Sequence, residues 1–191
     1  MLVRSFPWLP GAADTEPGGA LYVPRLLQGG NRHDNPARYG VLYASRDPVS
    51  AAAERLRAFR RWEIADPDFL RPDGSRYAVV TIDDAAVTGM VDLDDPAVLH
   101  RRNLRPSTVA TRDRRTTRRL ALELYDEGAD GLAWWSTIEG AWINASLFAE
   151  RAVPKLSVVG TPEVLTIDHP AVRAAAELLG LVVGATRPGS S

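Results

Sequence analysis

The chain sets short apolar runs between breaks rich in glycine, proline, asparagine and aspartate. Residues 39–44, Tyr-Gly-Val-Leu-Tyr-Ala, are apolar and brief, the pattern of a buried strand. Residues 77–82 are β-branched and strand-like, and 90–93 form a shorter piece. Two more strands are expected over 132–135 and 142–148, parted by a turn at Glu139-Gly140. Residues 155–159 and 163–167 read as a hairpin around Gly160-Thr161-Pro162, and 20–27 as a short strand broken by Pro24. Helical spacing appears in three places. Asp47-Pro48 opens the first helix, since Asp caps free amides and Pro suits the first helical position. Val49, Ala52, Ala53, Leu56 and Phe59 give it one apolar face. A second helix runs from near Asp113 to Gly128, with Thr117, Leu120, Ala121 and Leu124 inward and Gly128 as a left-handed cap. A third opens at Pro170 and reaches Leu179.

Between these elements, 29–38 and 62–75 read as loops, and 94–112 carry no clear period. Residues 1–19, with Pro7, Pro10, Gly11, Pro17, Gly18 and Gly19, read as a loosely structured lead-in, and 186–191 as a frayed tail. One domain is therefore expected over 20–185. Strands and helices are interspersed without a regular βαβ rhythm, which argues for an α+β fold.

Composition narrows the chemistry. With no cysteine, disulfides and thiolate metal sites are excluded, and a reducing compartment fits. The net charge of −1 gives no reason to expect a general polyanion binder. The N-terminal residues lack a signal peptide's apolar core, and no apolar run approaches the roughly 20 residues that span a bilayer. A cytoplasmic protein without membrane contact is expected. Lys155 is the sole lysine beside 22 arginines, which enlarges the supply of planar, permanently charged phosphate partners.

Each candidate for chemistry has a plain alternative. Glu54 points away from the first helix's apolar face, so helical geometry alone makes it a solvated carboxylate paired with Arg57 at i+3. The alanines around it allow close packing, so it can also border a cleft. Ser136 ends a strand, where serine is usually a turn residue, and no Gly-x-Ser-x-Gly elbow surrounds it. His33, His100 and His169 stand in no triad context and lack zinc-site spacing, so neither a serine hydrolase nor a metal site is expected. Gly29-Gly30-Asn31-Arg32 has the composition of a phosphate cradle, but such loops are common and an ordinary turn is the plainer reading. Residues 101–119 hold eight arginines. They make either a basic patch for nucleic acid, a solvated helix face, or a dock for an acidic protein.

Two blocks of sequence resemble the RES domain, a bacterial family named for its Arg, Glu and Ser residues. The first comprises Arg25, the Gly-rich loop, Tyr39-Gly40-Val41-Leu42-Tyr43-Ala44-Ser45 and Glu54. The second comprises Thr117, Gly128, Asp130-Gly131, Ser136, Asn144 and Leu147-Phe148. The match covers about residues 20–150 and rests on joint order and spacing. Departures are Arg118, where relatives carry Gln, and His33, where many carry an aromatic residue after the arginine. Either Arg25 or Arg32 can fill the family's arginine role.

The resemblance implies a single α+β domain like an ADP-ribosyltransferase, with a split, mostly antiparallel sheet around an NAD cleft. It implies a toxin that consumes NAD by breaking the nicotinamide–ribose bond. NAD is then substrate rather than a resident cofactor, and inorganic phosphate, water or a protein side chain is the acceptor. Glu54 would face the oxocarbenium-like centre, with Ser136 and Arg25 completing the catalytic set. Arg32, Asn35, Tyr43 and Asn144 would bind NAD. The implied partner is a cognate antitoxin with a helix-turn-helix domain, through which alone nucleic acid would be reached; a homo-oligomer is compatible. The contrasting possibility is a catalytically silent binding module that docks through residues 101–119.

Overall fold

The computed structural model describes residues 1–59 and 63–184. In chain order its strands and helices are β1 (Leu2–Trp8), β2 (Val41–Ser45), α1 (Pro48–Leu56), β3 (Glu63–Ile64), β4 (Arg76–Asp83), β5 (Met90–Asp92), α2 (Pro96–Arg101), α3 (Pro106–Ala110), α4 (Arg114–Asp126), β6 (Gly131–Trp135), β7 (Ile143–Phe148), α5 (Ala149–Ala152), β8 (Ser157–Val164), α6 (Pro170–Leu179) and β9 (Val182–Val183). Seven strands form one sheet in the order β5-β6-β7-β2-β1-β4-β8, and β3 pairs with β9 apart from it. Only the β5–β6 contact in the large sheet is parallel. The result is a single domain with a mostly antiparallel mixed sheet flanked by helices. Among the described residues, no helix is long and apolar enough to cross a membrane.

Period-two alternation divides the sheet into two faces. On one, Leu2, Phe6, Leu42, Ala44, Ala78, Val80, Ala145 and Leu147 form a continuous apolar core. The opposite face carries two separate clusters. Ala52, Ala53 and Leu56 of α1 meet Val172, Ala175 and Ala176 of α6 over Tyr77 and Val79. Leu120, Ala121 and Leu124 of α4 pack on Val41, Leu132 and Phe148. Between the clusters, Trp134, Asn144, Ser45 and Val3 stand opposite one another on successive strands. Directly opposed residues share a face, so this row floors the gap between the helices.

Several expectations are corrected. The lead-in of 1–19 contains β1, which lies between β2 and β4 with Leu2 and Phe6 buried. Its alternation is interrupted by Pro7 and followed by turn residues, which hid the strand. Residues 20–27 form no strand; Pro24 instead precedes a 3-10 turn over Arg25–Leu27. The expected hairpin over 155–167 is one strand, β8, running along β4. Gly160, at φ +77°, takes the left-handed conformation at an irregularity in that pairing, so the chain continues where a turn was expected. Residues 94–112 hold α2 and α3, each too short to show a period. The loop of 62–75 includes β3 and a 3-10 turn over Asp66–Phe69. The tail of 186–191 lies outside the described residues. The helix starts agree with expectation: Asp47 accepts from Ser50 N and Asp113 from Arg115 N.

Candidate active site

The site begins with a loop that is tied down on several sides. The Asp34 carboxylate, 2% exposed, accepts from the backbone amides of Gly29 (2.8 Å) and Asn31 (2.7 Å) and from the Tyr43 hydroxyl (2.8 Å). Tyr43 Oη in turn accepts from His33 N at 3.1 Å. From α4, Thr117 Oγ1 donates to the Arg32 carbonyl, and Arg118 donates to the carbonyls of Asn31 and Gly29. Gly29-Gly30-Asn31-Arg32 is thus a fixed turn, the plainer of the two readings of that stretch. Its purpose is to present Arg32.

Arg32 is 6% exposed. Its Nη1 donates to the carbonyls of Val109 (3.0 Å) and Thr111 (2.7 Å), and its guanidinium lies 4.8 Å from the Trp134 ring centroid. Burial lowers its pKa, with nearby Arg114 adding to the effect. Tyr43 moves the other way: burial and then Asp34 push its phenol well above the usual value. Tyr43 therefore remains a donor to Asp34 and is no base.

Across the gap, α1 turns Ala51, Glu54 and Arg55 toward the cleft, at the i, i+3 and i+4 positions that share a helix face. Glu54 Oε2 pairs with Arg57 Nη1 at 2.9 Å. Glu54 Oε1 lies 3.3 Å from Asn144 Nδ2 and 3.4 Å from Ser136 Oγ. The Asn144 amide is oriented by Ser45 Oγ (2.6 Å) and Ser50 Oγ (3.2 Å), which both donate to Oδ1 and leave Nδ2 for Glu54. Ser136 Oγ accepts from Ile138 N at 3.1 Å. Its polar neighbours are a backbone amide and the Glu54 carboxylate, which it helps to hold in place. The solvated carboxylate expected from helix geometry has its Arg57 partner, and it also borders a cleft.

That cleft has a volume of about 290 Å³, at the lower end for ligand sites. Arg32, Arg55, Arg57 and Arg114 line it against one carboxylate, Glu54. Such an excess of cationic forks around a single carboxylate suits a ligand with phosphate groups and a centre that becomes positive.

Arg32, Tyr43, Glu54 and Asn144 line the cleft and Ser136 joins them through Glu54, whereas neither Arg25 nor Asn35 lines it. Arg25 faces the other way, with Nε on the Pro36 carbonyl (2.7 Å) and Nη1 on Glu150 (2.9 Å), and of the two arginines it is Arg32 that lines the cleft. Asn35 supplies a turn, its carbonyl accepting from the amides of Arg38 and Tyr39. Sequence reasoning missed Asp34, Arg55 and Arg114. Arg114 was hidden in the run of eight arginines, which the fold divides: Arg114 lines the cleft, Arg118 ties the loop, Arg102 pairs with Glu127, and Arg112, Arg115 and Arg119 are solvated.

Under Arg32 lies a buried polar chain. Trp134 Nε1 donates to Ser146 Oγ (3.1 Å), and Ser146 Oγ is 2.8 Å from His33 Nδ1. His33 also meets the Trp134 ring edge-on, with centroids 5.3 Å apart. Burial, then Arg32 and Arg114, lower its pKa from 6.5 to about 3. As pH falls, the unfolded chain takes up this proton first, so stability is lost between pH 6.5 and about 3. We predict that His33→Asn, whose amide oxygen can replace Nδ1, removes about 2 kcal/mol of the stability difference between pH 7 and 5. Urea unfolding at the two pH values would show it; an unchanged difference would mean that His33 takes up its proton as readily in the native state as in the unfolded chain.

A carboxylate on a helix, held by an amide and a hydroxyl and flanked by arginines over a mostly antiparallel sheet, makes this a small α+β protein with an arginine-lined cleft. The family model described as "RES domain" matches residues 10–168, and the chain belongs to the RES domain family. No curated protein matches it. Among solved structures it is similar to the crystal structure of the M. tuberculosis MbcT–MbcA toxin–antitoxin complex, with a TM-score of 0.58 and 17% identity over 94% of this chain and 88% of that chain. At that identity the likeness is one of fold.

Proposed function

We propose that this protein consumes NAD by cleaving the nicotinamide–ribose bond, and that it is the toxin of a toxin–antitoxin pair. The observation that carries the first part is Glu54, fixed beside Asn144 and Ser136 in a cleft of four arginines. As the C1′–N bond breaks, nicotinamide departs with the bonding electrons, which neutralise its ring nitrogen. No proton donor is needed for this leaving group. The charge left on the ribose is met by the Glu54 carboxylate, as in glycoside chemistry. Arg32 and Arg114 would hold the pyrophosphate, and Asn144 would orient the ribose side. An oxygen of phosphate or water then bonds C1′. Water loses its proton to solvent, whereas phosphate yields a ribosyl phosphate ester.

Family membership and the fold shared with a toxin from a toxin–antitoxin complex support the second part. The partner is a cognate antitoxin with a helix-turn-helix domain, and DNA is reached only through it.

Purified protein should release nicotinamide from NAD. A rate that rises with inorganic phosphate and gives a phosphorylated product would identify phosphorolysis, and a phosphate-independent rate would identify hydrolysis. A modified peptide in a treated lysate would make the protein an ADP-ribosyltransferase instead. Folded, antitoxin-free protein that releases no nicotinamide would overturn the enzyme assignment. Failure of any neighbouring gene product to co-purify would count against the antitoxin.

A further inference from the structure

The cleft has a second cationic end, built partly from a strand outside the family match. β1 ends at Trp8 and the match begins at residue 10, yet Val3 and Ser5 of β1 line the cleft. Val3 lies three strands from Trp134, and at ~4.8 Å per strand the floor between them spans roughly 14 Å. Arg32 stands over Trp134 at one end. Arg55 mirrors it at the other, with its guanidinium 3.7 Å from the Tyr77 ring centroid.

Arg55 is matched to a ring but to no carboxylate. Glu54 turns to Arg57 and Asp73 to Arg71, and among the described residues no acidic side chain pairs with Arg55. Stacking satisfies the flat face of a guanidinium and leaves its N–H fork free for a planar or tetrahedral oxyanion. Lining the same cleft is a hydroxyl with no partner. Ser5 Oγ is buried without a hydrogen-bond partner, on the strand next to Tyr77 and on the same sheet face. Buried polar groups in native proteins are nearly always paired, and an orphan in a cleft wall is an unmet donor.

We propose that Arg55 and Ser5 form a second phosphoryl-binding end of the cleft, distinct from the Arg32–Arg114 end. Its ligand is an anionic phosphoryl group, carried by the dinucleotide or free in solution. The proposal rests on the NAD assignment only for the choice of one probe. Burial lowers the Arg55 pKa, and Tyr77 works against that shift.

The test is calorimetric titration of inorganic phosphate and of NAD, at fixed ionic strength, into full-length Glu54→Gln protein, which spares NAD from turnover. Arg55→Gln in that background should weaken one ligand by at least about tenfold, the usual size for a lost hydrogen bond to a charged group. Ser5→Ala should weaken the same ligand less, with a melting temperature no lower than the parent's, because it removes an unpaired buried hydroxyl. Where Arg55→Gln does not fold, Arg55→Lys keeps the charge, lacks the fork, and should also lose affinity. Loss confined to phosphate identifies the free anion, and loss of NAD identifies a phosphoryl group of the dinucleotide. Unchanged affinity for both overturns the proposal and leaves the NAD assignment standing. A parent that binds phosphate but not NAD removes the NAD assignment, and the phosphate titration alone then decides the subsite. A parent that binds neither overturns both.

Discussion

Glu54→Gln protein is expected to fold normally and to release nicotinamide at least ~10²-fold more slowly than the native chain, the usual scale for losing one preorganised electrostatic partner of a transition state. The substitution keeps the shape, and the new amide oxygen can still accept from Asn144 Nδ2 and Ser136 Oγ, so the local scaffold survives. What disappears is the only carboxylate lining the described cleft. The lost Glu54–Arg57 pair is partly solvated and worth less than ~1 kcal/mol to stability. The loss should fall on kcat, because the charge that Glu54 opposes develops only as the bond breaks. A steady-state assay of nicotinamide release decides the matter. A variant as fast as the native chain would remove Glu54 from the mechanism.

Asp34→Ala is expected to have the largest effect on stability, about 3 kcal/mol, or roughly 10 °C in melting temperature for a chain of this size. Asp34 is almost fully buried and is the common acceptor for two backbone amides and the Tyr43 hydroxyl. Alanine would leave three donors without a partner inside a closed loop, and unmade hydrogen bonds cost more than made ones contribute. The harm should extend to the site, since Arg32 stands two residues away on the same loop. Arg38→Ala is the control: it breaks only the exposed pair with Asp126 and should change stability by no more than ~0.5 kcal/mol. Similar melting temperatures for the two variants would show that the loop is held by α4 rather than by Asp34.

The helix starts were legible because capping is local: Asp47-Pro48 and Asp113 act on amides two or three residues away. The strands at 77–82 and 132–135 were legible from side-chain type. β1 was not, because its partners, β2 and β4, begin some 30 to 70 residues later, and only pairing shows that Leu2 and Phe6 are inside. Gly160-Thr161-Pro162 misled because one left-handed glycine serves a bulge as well as a turn. At the site, Glu54, Ser136 and Asn144 stood out through family spacing. The resemblance puts Arg25 in the catalytic set, and nothing in its sequence neighbourhood reveals Glu150, its partner 125 residues away. Nothing in the local sequence sets Arg55 or Arg114 apart from the other arginines of the chain. Their value comes from which strand or helix they face, a property of the assembled sheet.

The row of polar side chains between the two helix-covered clusters has a consequence for how a ligand reaches its place. Tyr43, Ser45 and Asn144 interrupt what would otherwise be one hydrophobic layer on that side of the sheet. A guest can enter along this seam without prising apart either cluster. The polar groups of that floor are already paired within the protein, Asn144 with Ser45, Ser50 and Glu54 and Tyr43 with Asp34, so the floor offers a guest few new hydrogen bonds. Discrimination must therefore come from the fixed charges at the margins and from the fit between them, with the floor serving as a guide for position.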